Sequence, residues 1–265
     1  AAAYRQVIVS MEPRLVIFRT LDLGGDKVEE GYSSEPEPNP FLGWRGIRLS
    51  LGRQDLFKRQ LRALLRAGAW SRVGIMFPMV TTLEEVLAAK ELLKVCAAEL
   101  DAEKIAPPSE LLVGAMIEVP GAALIAGSLA KHVDFLSLGT NDLVQYTLAV
   151  DRLNDRVADL YQTTHPAVLR LISLTVDSGQ RGEVRVGMCG EMAADISLTP
   201  LLLGMGLREL SVSTSQVARV KEAVRRLSLK ECVELWTEAQ DLTDAKEIRQ
   251  LSLSLAKNRY PDLFE

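Results

Sequence analysis

The sequence predicts an α/β fold, a (β/α)8 barrel of the TIM type that lacks its first strand in this chain. Short apolar runs rich in β-branched residues alternate with longer amphipathic runs, and such alternation favours parallel strands with helices outside them. The short runs are apolar almost throughout, which is typical of a sheet buried on both faces. A length of 265 residues allows one large barrel or two smaller domains, and we interpret residues 1–265 as one barrel domain.

Seven runs are candidate strands, whereas a closed barrel of this type needs eight. In chain order they are Leu15–Arg19, Trp44–Leu49, Val73–Pro78, Leu112–Val119, Asp134–Leu138, Val184–Cys189 and Glu209–Ser213. Apolar residues at three- and four-residue spacing predict helices, among them Asp55–Ala67 and Leu83–Leu100. Because the chain opens on a helix-like stretch, Ala1–Ser10, we expect the missing strand to be the first. The tail is also predicted to be helical over about residues 226–265, with a helix start near Thr243-Asp244.

Composition narrows the classes of protein that this chain can represent. The net charge is −4 and no basic cluster is present, which argues against nucleic acid as the main partner. The sequence contains no run of about 18 apolar residues, so we expect no membrane span. It does not open with a basic segment followed by an apolar one, so nothing suggests export. The three cysteines are odd in number and lack metal-type spacing, so we expect free thiols in a reducing compartment, the cytoplasm.

Polar residues stand where several candidate strands end. Arg19, Glu118 and Cys189 each close such a run, and Asp142 follows another within four residues. In a parallel barrel, chemistry gathers at the carboxyl ends of the strands. Two carboxylates there would repel each other unless a cation lay between them, and Mg²⁺ prefers a few hard oxygen ligands completed by substrate and water. Arginines bind phosphate and carboxylate groups bidentately. The pattern therefore indicates an anionic, metal-chelating substrate, but it does not identify that substrate.

Seven runs between about residues 14 and 225 match one known family in that family's order. They are RTLDLGGDK (Arg19–Lys27), NPFLGWRGIR (Asn39–Arg48), IMFPMV (Ile75–Val80), MIEVPGAA (Met116–Ala123), SLGTNDLVQYTLAVDR (Ser137–Arg152), GMCGEMAAD (Gly187–Asp195) and LLLGMGLRELSVS (Leu201–Ser213). At these residues the sequence resembles the C-terminal phosphoenolpyruvate-binding domain of the PEP-protein phosphotransferases, the Enzyme I family of the bacterial sugar phosphotransferase system. The resemblance implies a barrel of the PEP/pyruvate class.

The resemblance also implies a role for each motif residue. Glu118 and Asp142 would hold Mg²⁺, and Cys189 would protonate the enolate carbon. The phosphate and carboxylate of phosphoenolpyruvate would be bound by Arg19, Arg45, Asn141, Asp142 and Arg152. These roles cohere physically, because Mg²⁺ and arginines stabilise the negative charge that enolpyruvate carries. A thiol with the ordinary pKa of about 8.5 remains mostly protonated at neutral pH and is able to donate that proton.

What the family implies about partners depends on parts that we expect to be absent from this chain. The phosphoryl acceptor of the family is a histidine on a separate N-terminal domain, which passes the group to the histidine-containing phosphocarrier protein for sugar uptake. We expect that domain to be absent here, together with a further arginine on the first barrel strand. The chain alone should therefore bind phosphoenolpyruvate, release pyruvate only with that domain, and form a homodimer as the family does.

Two other readings of the sequence stay open. A PEP synthase or a pyruvate, phosphate dikinase has a barrel with similar Glu, Asn-Asp and Cys residues, although GMCGEMAAD and LLLGMGL favour Enzyme I. A non-catalytic module that senses phosphoenolpyruvate or mediates dimerisation is the alternative from another class. An intact Cys189 argues against such a module, because a sensor has no use for an acid.

Overall fold

A computed structural model describes residues 1–22 and 37–265, so Leu23–Lys27 of the first matching run lies outside the described residues. The chain forms two compact units. The first unit contains Ala1–Met116 and Lys131–Phe135, and the second contains Ile117–Ala130 and Leu136–Glu265. Within the described residues, no helix combines the length and the apolar character that crossing a membrane requires.

The first unit is built from three parallel strands and four helices. In chain order these are α1 (Ala2–Met11), β1 (Val16–Arg19), α2 (Gly46–Gly52), α3 (Gln54–Ala67), β2 (Arg72–Phe77), α4 (Leu83–Ala102) and β3 (Glu110–Ile117). β1 pairs with β2 and β2 with β3, both in parallel register. The predicted parallel pairing is therefore confirmed in this unit.

Local sequence explains how these elements form and pack. Gly74 of β2 is a glycine because a Cβ there would lie 2.8 Å from Ile17 Cγ1 of β1. Phe57 of α3 meets Phe77 of β2 edge to face, with ring centroids 6.1 Å apart. α4 begins with a capping box, in which Thr82 Oγ1 accepts the Glu85 N–H.

The predicted strand at Trp44–Leu49 is wrong, because the segment forms helix α2. Ile47, Leu49 and the half-buried Leu51 alternate in a way that also fits a strand, and so short a run does not distinguish the two periods. The backbone turns at Gly46, whose φ is +57°, a conformation that suits glycine. A Cβ at Gly46 would lie 2.7 Å from Met79 Cβ, and the Ile47 N–H donates to Pro78 O at 3.2 Å. The start of α2 is thus fixed against the segment that follows β2.

The second unit contains three strands and nine helices of the described chain. They are α5 (Pro120–Leu124), α6 (Ala126–Leu129), β4 (Phe135–Gly139), α7 (Thr140–Leu148), α8 (Pro166–Arg181), β5 (Arg185–Cys189), α9 (Glu191–Ala194), α10 (Thr199–Gly204), β6 (Glu209–Leu210), α11 (Val217–Arg225), α12 (Leu229–Ala239) and α13 (Ala245–Arg259). The strand order is β4-β5-β6, and β5 pairs with β6 in parallel. The described residues contain six strands, so closure of an eight-stranded barrel stays a prediction.

The predicted helical tail is confirmed and is an integral part of the second unit. Asp244 caps α13, with its Oδ1 accepting the N–H groups of Lys246 and Glu247. Tyr260 is completely buried with Ile196 and three further apolar residues, Val220, Ala223 and Ala256.

Three side chains of the tail bind the segment that follows α9. Tyr260 Oη donates to Ile196 O at 2.8 Å and Ser252 Oγ to Ser197 O at 2.7 Å. Arg249 forms an ion pair with Asp195 at 2.7 Å. The tail therefore fixes residues 195–197, which continue the chain from β5 and α9.

Candidate functional site

The residues predicted to act on substrate or metal fall in both units. The first unit contains Arg19 and Arg45, and the second contains Glu118, Asn141, Asp142, Arg152 and Cys189.

In the first unit, both predicted arginines bind one carboxylate. The Arg45 guanidinium, almost fully buried, donates through Nε to Asp22 Oδ1 at 3.2 Å and through Nη2 to Asp22 Oδ2 at 2.9 Å. Arg19 Nη1 lies 3.4 Å from the same Oδ2, and its side chain is 39% exposed. A buried cation needs such a bidentate partner. The structure thus brings the two arginines together at Asp22, with Arg19 the more accessible to a ligand.

In the second unit, the two predicted metal ligands are buried carboxylates. Glu118 directly follows the last residue of β3 and is 2% exposed, and Asp142 stands third in α7 and is 6% exposed. Arg152 Nη1 donates to Asp142 Oδ1 at 3.3 Å. Because burying a carboxylate without a compensating charge or donor is costly, this ion pair offsets part of the cost of burying Asp142.

The first turn of α7 is attached to the loop that follows β5. Thr140 Oγ1 donates to Cys189 O at 2.9 Å, and Asn141 Oδ1 accepts the Glu191 N–H at 3.0 Å. Gly190 between them has φ +95°, and a Cβ there would lie 2.5 Å from Thr140 Oγ1. Only glycine fits this close approach. The side-chain oxygen of Asn141, predicted as a phosphate contact, therefore positions the loop of Cys189.

The thiol of Cys189 lies at the carboxyl end of β5, as the sequence predicts. Cys189 is half-buried and is not part of a disulfide. Its Sγ donates to Leu138 O at 3.4 Å and accepts from Ser137 Oγ at 3.9 Å, both on β4. The thiol is therefore oriented by β4.

Sequence reasoning missed three residues that hold these groups in place. Asp22 and Gln145 lie inside the runs that match the family, and nothing else in the sequence indicated their roles. Gln145 is buried, and its Oε1 accepts the Arg152 N–H at 3.1 Å. Tyr161, which lies outside every matching run, donates from Oη to Asn141 O at 3.1 Å.

The described residues contain no group of three or more His, Cys, Asp and Glu side chains able to hold a metal ion. A cation at Glu118 and Asp142 would therefore depend on oxygen atoms from substrate and water. Mg²⁺ binds in this manner, through one or two carboxylates and substrate phosphate, so the donor set fits that ion.

The fold and these side chains define a parallel α/β protein with carboxylate, arginine and thiol groups at or soon after the carboxyl ends of its strands. The family model described as "PEP-utilising enzyme, PEP-binding domain" matches residues 1–229. The chain belongs to this family, which confirms the resemblance inferred from the sequence motifs.

Curated relatives with similar sequences carry the name phosphoenolpyruvate-protein phosphotransferase. The Mycoplasma pneumoniae relative is 47% identical over 262 residues, 99% of this chain and 45% of its own length. The Listeria monocytogenes relative is 44% identical over 249 residues, 94% of this chain and 44% of that protein. The Haemophilus influenzae relative is 46% identical over 250 residues, 94% and 43% of the two chains. The chain thus spans less than half the length of these relatives.

One solved structure with a similar backbone is a citrate lyase from Burkholderia xenovorans. Its TM-score is 0.49 at 17% identity, over 76% of this chain and 68% of that chain. A likeness of this size carries no argument about the fold.

Proposed function

We propose that the chain is the phosphoenolpyruvate-binding domain of a PEP-protein phosphotransferase and converts enolpyruvate to pyruvate. The observation that carries this proposal is the attachment of the Cys189 loop to the first turn of α7. That attachment joins a thiol with a transferable proton to the segment that carries Asp142 and, through the ion pair, Arg152. An acid, a metal ligand and an anion-binding group are what the chemistry of this substrate requires.

Arginines and carboxylates of the chain divide the binding of substrate between them. Arg152, Arg19 and Arg45 would bind the phosphate and carboxylate groups, since guanidinium groups match both bidentately. Glu118 and Asp142 would hold Mg²⁺, which when bound would neutralise charge on the oxygen atoms of the substrate. Arg45 also donates two hydrogen bonds to Asp22, so we propose that it orients Asp22 and Arg19 as well.

The reaction needs a proton at C3 of the enolate, and we assign Cys189 as its donor. When the phosphoryl group leaves phosphoenolpyruvate for an acceptor histidine on a separate N-terminal domain, the enolate of pyruvate remains. The Cys189 Sγ–H bond breaks, the proton joins C3 of the enolate, and a thiolate is left. The half-buried thiol and the flanking Ser137 hydroxyl fit this role, because the hydroxyl is able to donate to the thiolate.

The same proposal extends to the partners of the whole protein. The name shared by the relatives describes phosphoryl transfer to a protein. We propose that the group passes through the N-terminal domain to the histidine-containing phosphocarrier protein and serves sugar uptake. A homodimer in the cytoplasm completes the proposal. The free thiols of Cys96, Cys189 and Cys232 suit a reducing compartment.

Calorimetry with phosphoenolpyruvate, in the presence of Mg²⁺ or of a chelator, tests the proposed function. We expect binding to tighten by at least about 10-fold with Mg²⁺, because charge neutralisation of that kind is worth more than about 1.4 kcal/mol. Asp142→Ala should abolish most of the difference, whereas Asp177→Ala, at an exposed position on α8, should preserve it. Equal affinity in excess chelator would contradict the assignment of Glu118 and Asp142 as magnesium ligands. Absence of binding in both conditions would contradict the proposed function.

A further inference from the structure

The loop between α7 and α8 is attached to α7 at both of its ends. At its beginning, the Arg152 N–H donates to Gln145 Oε1 at 3.1 Å and the guanidinium donates to Asp142 at 3.3 Å. At its far end, Tyr161 Oη donates to Asn141 O at 3.1 Å. A loop held in this way presents its arginine in one position, whereas a loop held at one end samples several.

The Tyr161 hydroxyl keeps the proton that this attachment requires. Burial raises the pKa of Tyr161 to about 12; the positive charge of Arg152 acts to lower this pKa, and the negative charges of Glu191 and Asp142 act to raise it. The phenol is therefore neutral, and a donor, at every physiological pH.

Asn141 is the residue on which the attachments of the second unit converge. Its side chain accepts the Glu191 N–H from the loop of Cys189, and its backbone carbonyl accepts the Tyr161 hydroxyl. One residue of α7 thus receives the loop that carries the thiol and the loop that carries the arginine. Its neighbour Asp142 is the proposed metal ligand.

We propose that Tyr161 is a positioning residue for phosphoenolpyruvate, holding the first turn of α7 and the Arg152 loop in their binding arrangement. This inference rests on the proposed function. Tyr161 itself touches no reacting atom, and it acts through Asn141, Asp142 and Arg152. Loss of the hydroxyl leaves the ring in place, so its effect appears as weaker substrate binding more than as unfolding.

The experiment compares two tyrosine-to-phenylalanine variants of the whole chain by calorimetry with phosphoenolpyruvate and Mg²⁺. Tyr161→Phe should weaken binding about 3- to 10-fold, the worth of one hydrogen bond. Tyr260→Phe is the matched control, because it also removes a tyrosine hydroxyl bound to a backbone carbonyl, that of Ile196 in the tail contact. The control should lower the melting temperature at least as much as Tyr161→Phe and leave the affinity within about 2-fold.

A double variant separates positioning from a general structural effect. If Tyr161 acts through Arg152, the loss of affinity in Tyr161→Phe with Arg152→Ala should be smaller than the product of the two single losses. Replacing Tyr161 by 4-aminophenylalanine, which retains a donor at the ring para position, should restore most of the affinity.

Three outcomes would overturn the inference. Wild-type affinity in Tyr161→Phe, an equal loss in Tyr260→Phe, or exactly multiplicative losses in the double variant would each reject positioning while the proposed function stands. Absence of binding by the unaltered chain would instead reject the proposed function, and this inference with it.

Discussion

Arg45→Ala should destabilise the first unit strongly, whatever its effect on substrate. The Arg45 and Asp22 side chains are 2% and 1% exposed, and two hydrogen bonds of 3.2 and 2.9 Å join them. Alanine at position 45 would leave the Asp22 carboxylate buried with the Arg19 contact at 3.4 Å from a side chain that is 39% exposed. The cost is therefore the desolvation of a carboxylate whose main partner is gone.

The expected loss of stability in Arg45→Ala is estimated from the cost of breaking buried ion pairs in other proteins. Removing one partner of such a pair costs roughly 3–5 kcal/mol, and since Arg19 still compensates in part, we expect about 3 kcal/mol. For a protein of this size, each kcal/mol lowers the melting temperature by about 2–4 °C, so the fall should be roughly 6–12 °C. That loss is a large part of a total stability of about 5–15 kcal/mol.

Thermal unfolding followed by circular dichroism checks this prediction. Arg19→Ala is the matched control, and because its guanidinium is partly exposed, it should cost less than about 1 kcal/mol. Replacing both members of the pair, Arg45→Met with Asp22→Leu, should recover most of the loss, since no buried charge then remains. A melting temperature of Arg45→Ala within about 2 °C of the unaltered chain, less than the shift expected from about 1 kcal/mol, would refute the reasoning.

Three further predictions concern chemistry and pH. Cys189→Ala should leave the affinity for phosphoenolpyruvate within a few-fold but slow solvent deuterium incorporation at C3 of pyruvate by about 10²- to 10⁴-fold, with the acceptor domain supplied separately; an unchanged rate would leave the thiol a packing group. The chain alone should not retain acid-labile phosphate from labelled phosphoenolpyruvate, because the His165 ring caps α8 by accepting the Ala167 N–H at 3.1 Å; stoichiometric labelling would contradict the domain assignment. Burial raises the pKa of Tyr260 above that of an unfolded tyrosine, so its contribution to stability is complete below about pH 10 and is lost as the pH rises further. Denaturant titrations should show a steeper fall above pH 10 for the unaltered chain than for Tyr260→Phe.

The strands were predictable because their apolar runs are continuous. The run at Val184–Cys189, for example, became β5 with only one residue removed from its start. The segment at Trp44–Leu49 was not predictable, because its outcome depends on the contact between Gly46 and Met79, which are 33 positions apart. Tertiary contacts of this kind decide the conformation of short apolar runs.

The residue types at the site were predictable from the motifs, whereas their supporting contacts were not. Nothing in the sequence around Tyr161 indicates that its hydroxyl meets the carbonyl of Asn141, 20 positions earlier. The same holds for Asp22, whose role appears only when Arg45 is seen to be buried against it. The assignments of Glu118, Asp142 and Cys189 to metal and acid roles stay predictions until the calorimetry and exchange experiments are done.

The tail contact also determines when the second unit is able to finish folding during synthesis. Tyr260 Oη and the Ile196 carbonyl that it binds are separated by 64 positions along the chain. At a translation rate of about 5–20 residues per second, the ribosome takes roughly 3–13 s to add those residues after Ile196. For most of that interval the segment 195–197 lacks Arg249 and Ser252 of α13, and until its end it lacks Tyr260. The nascent protein should therefore complete the attachment of residues 195–197 only once Tyr260 has left the ribosome.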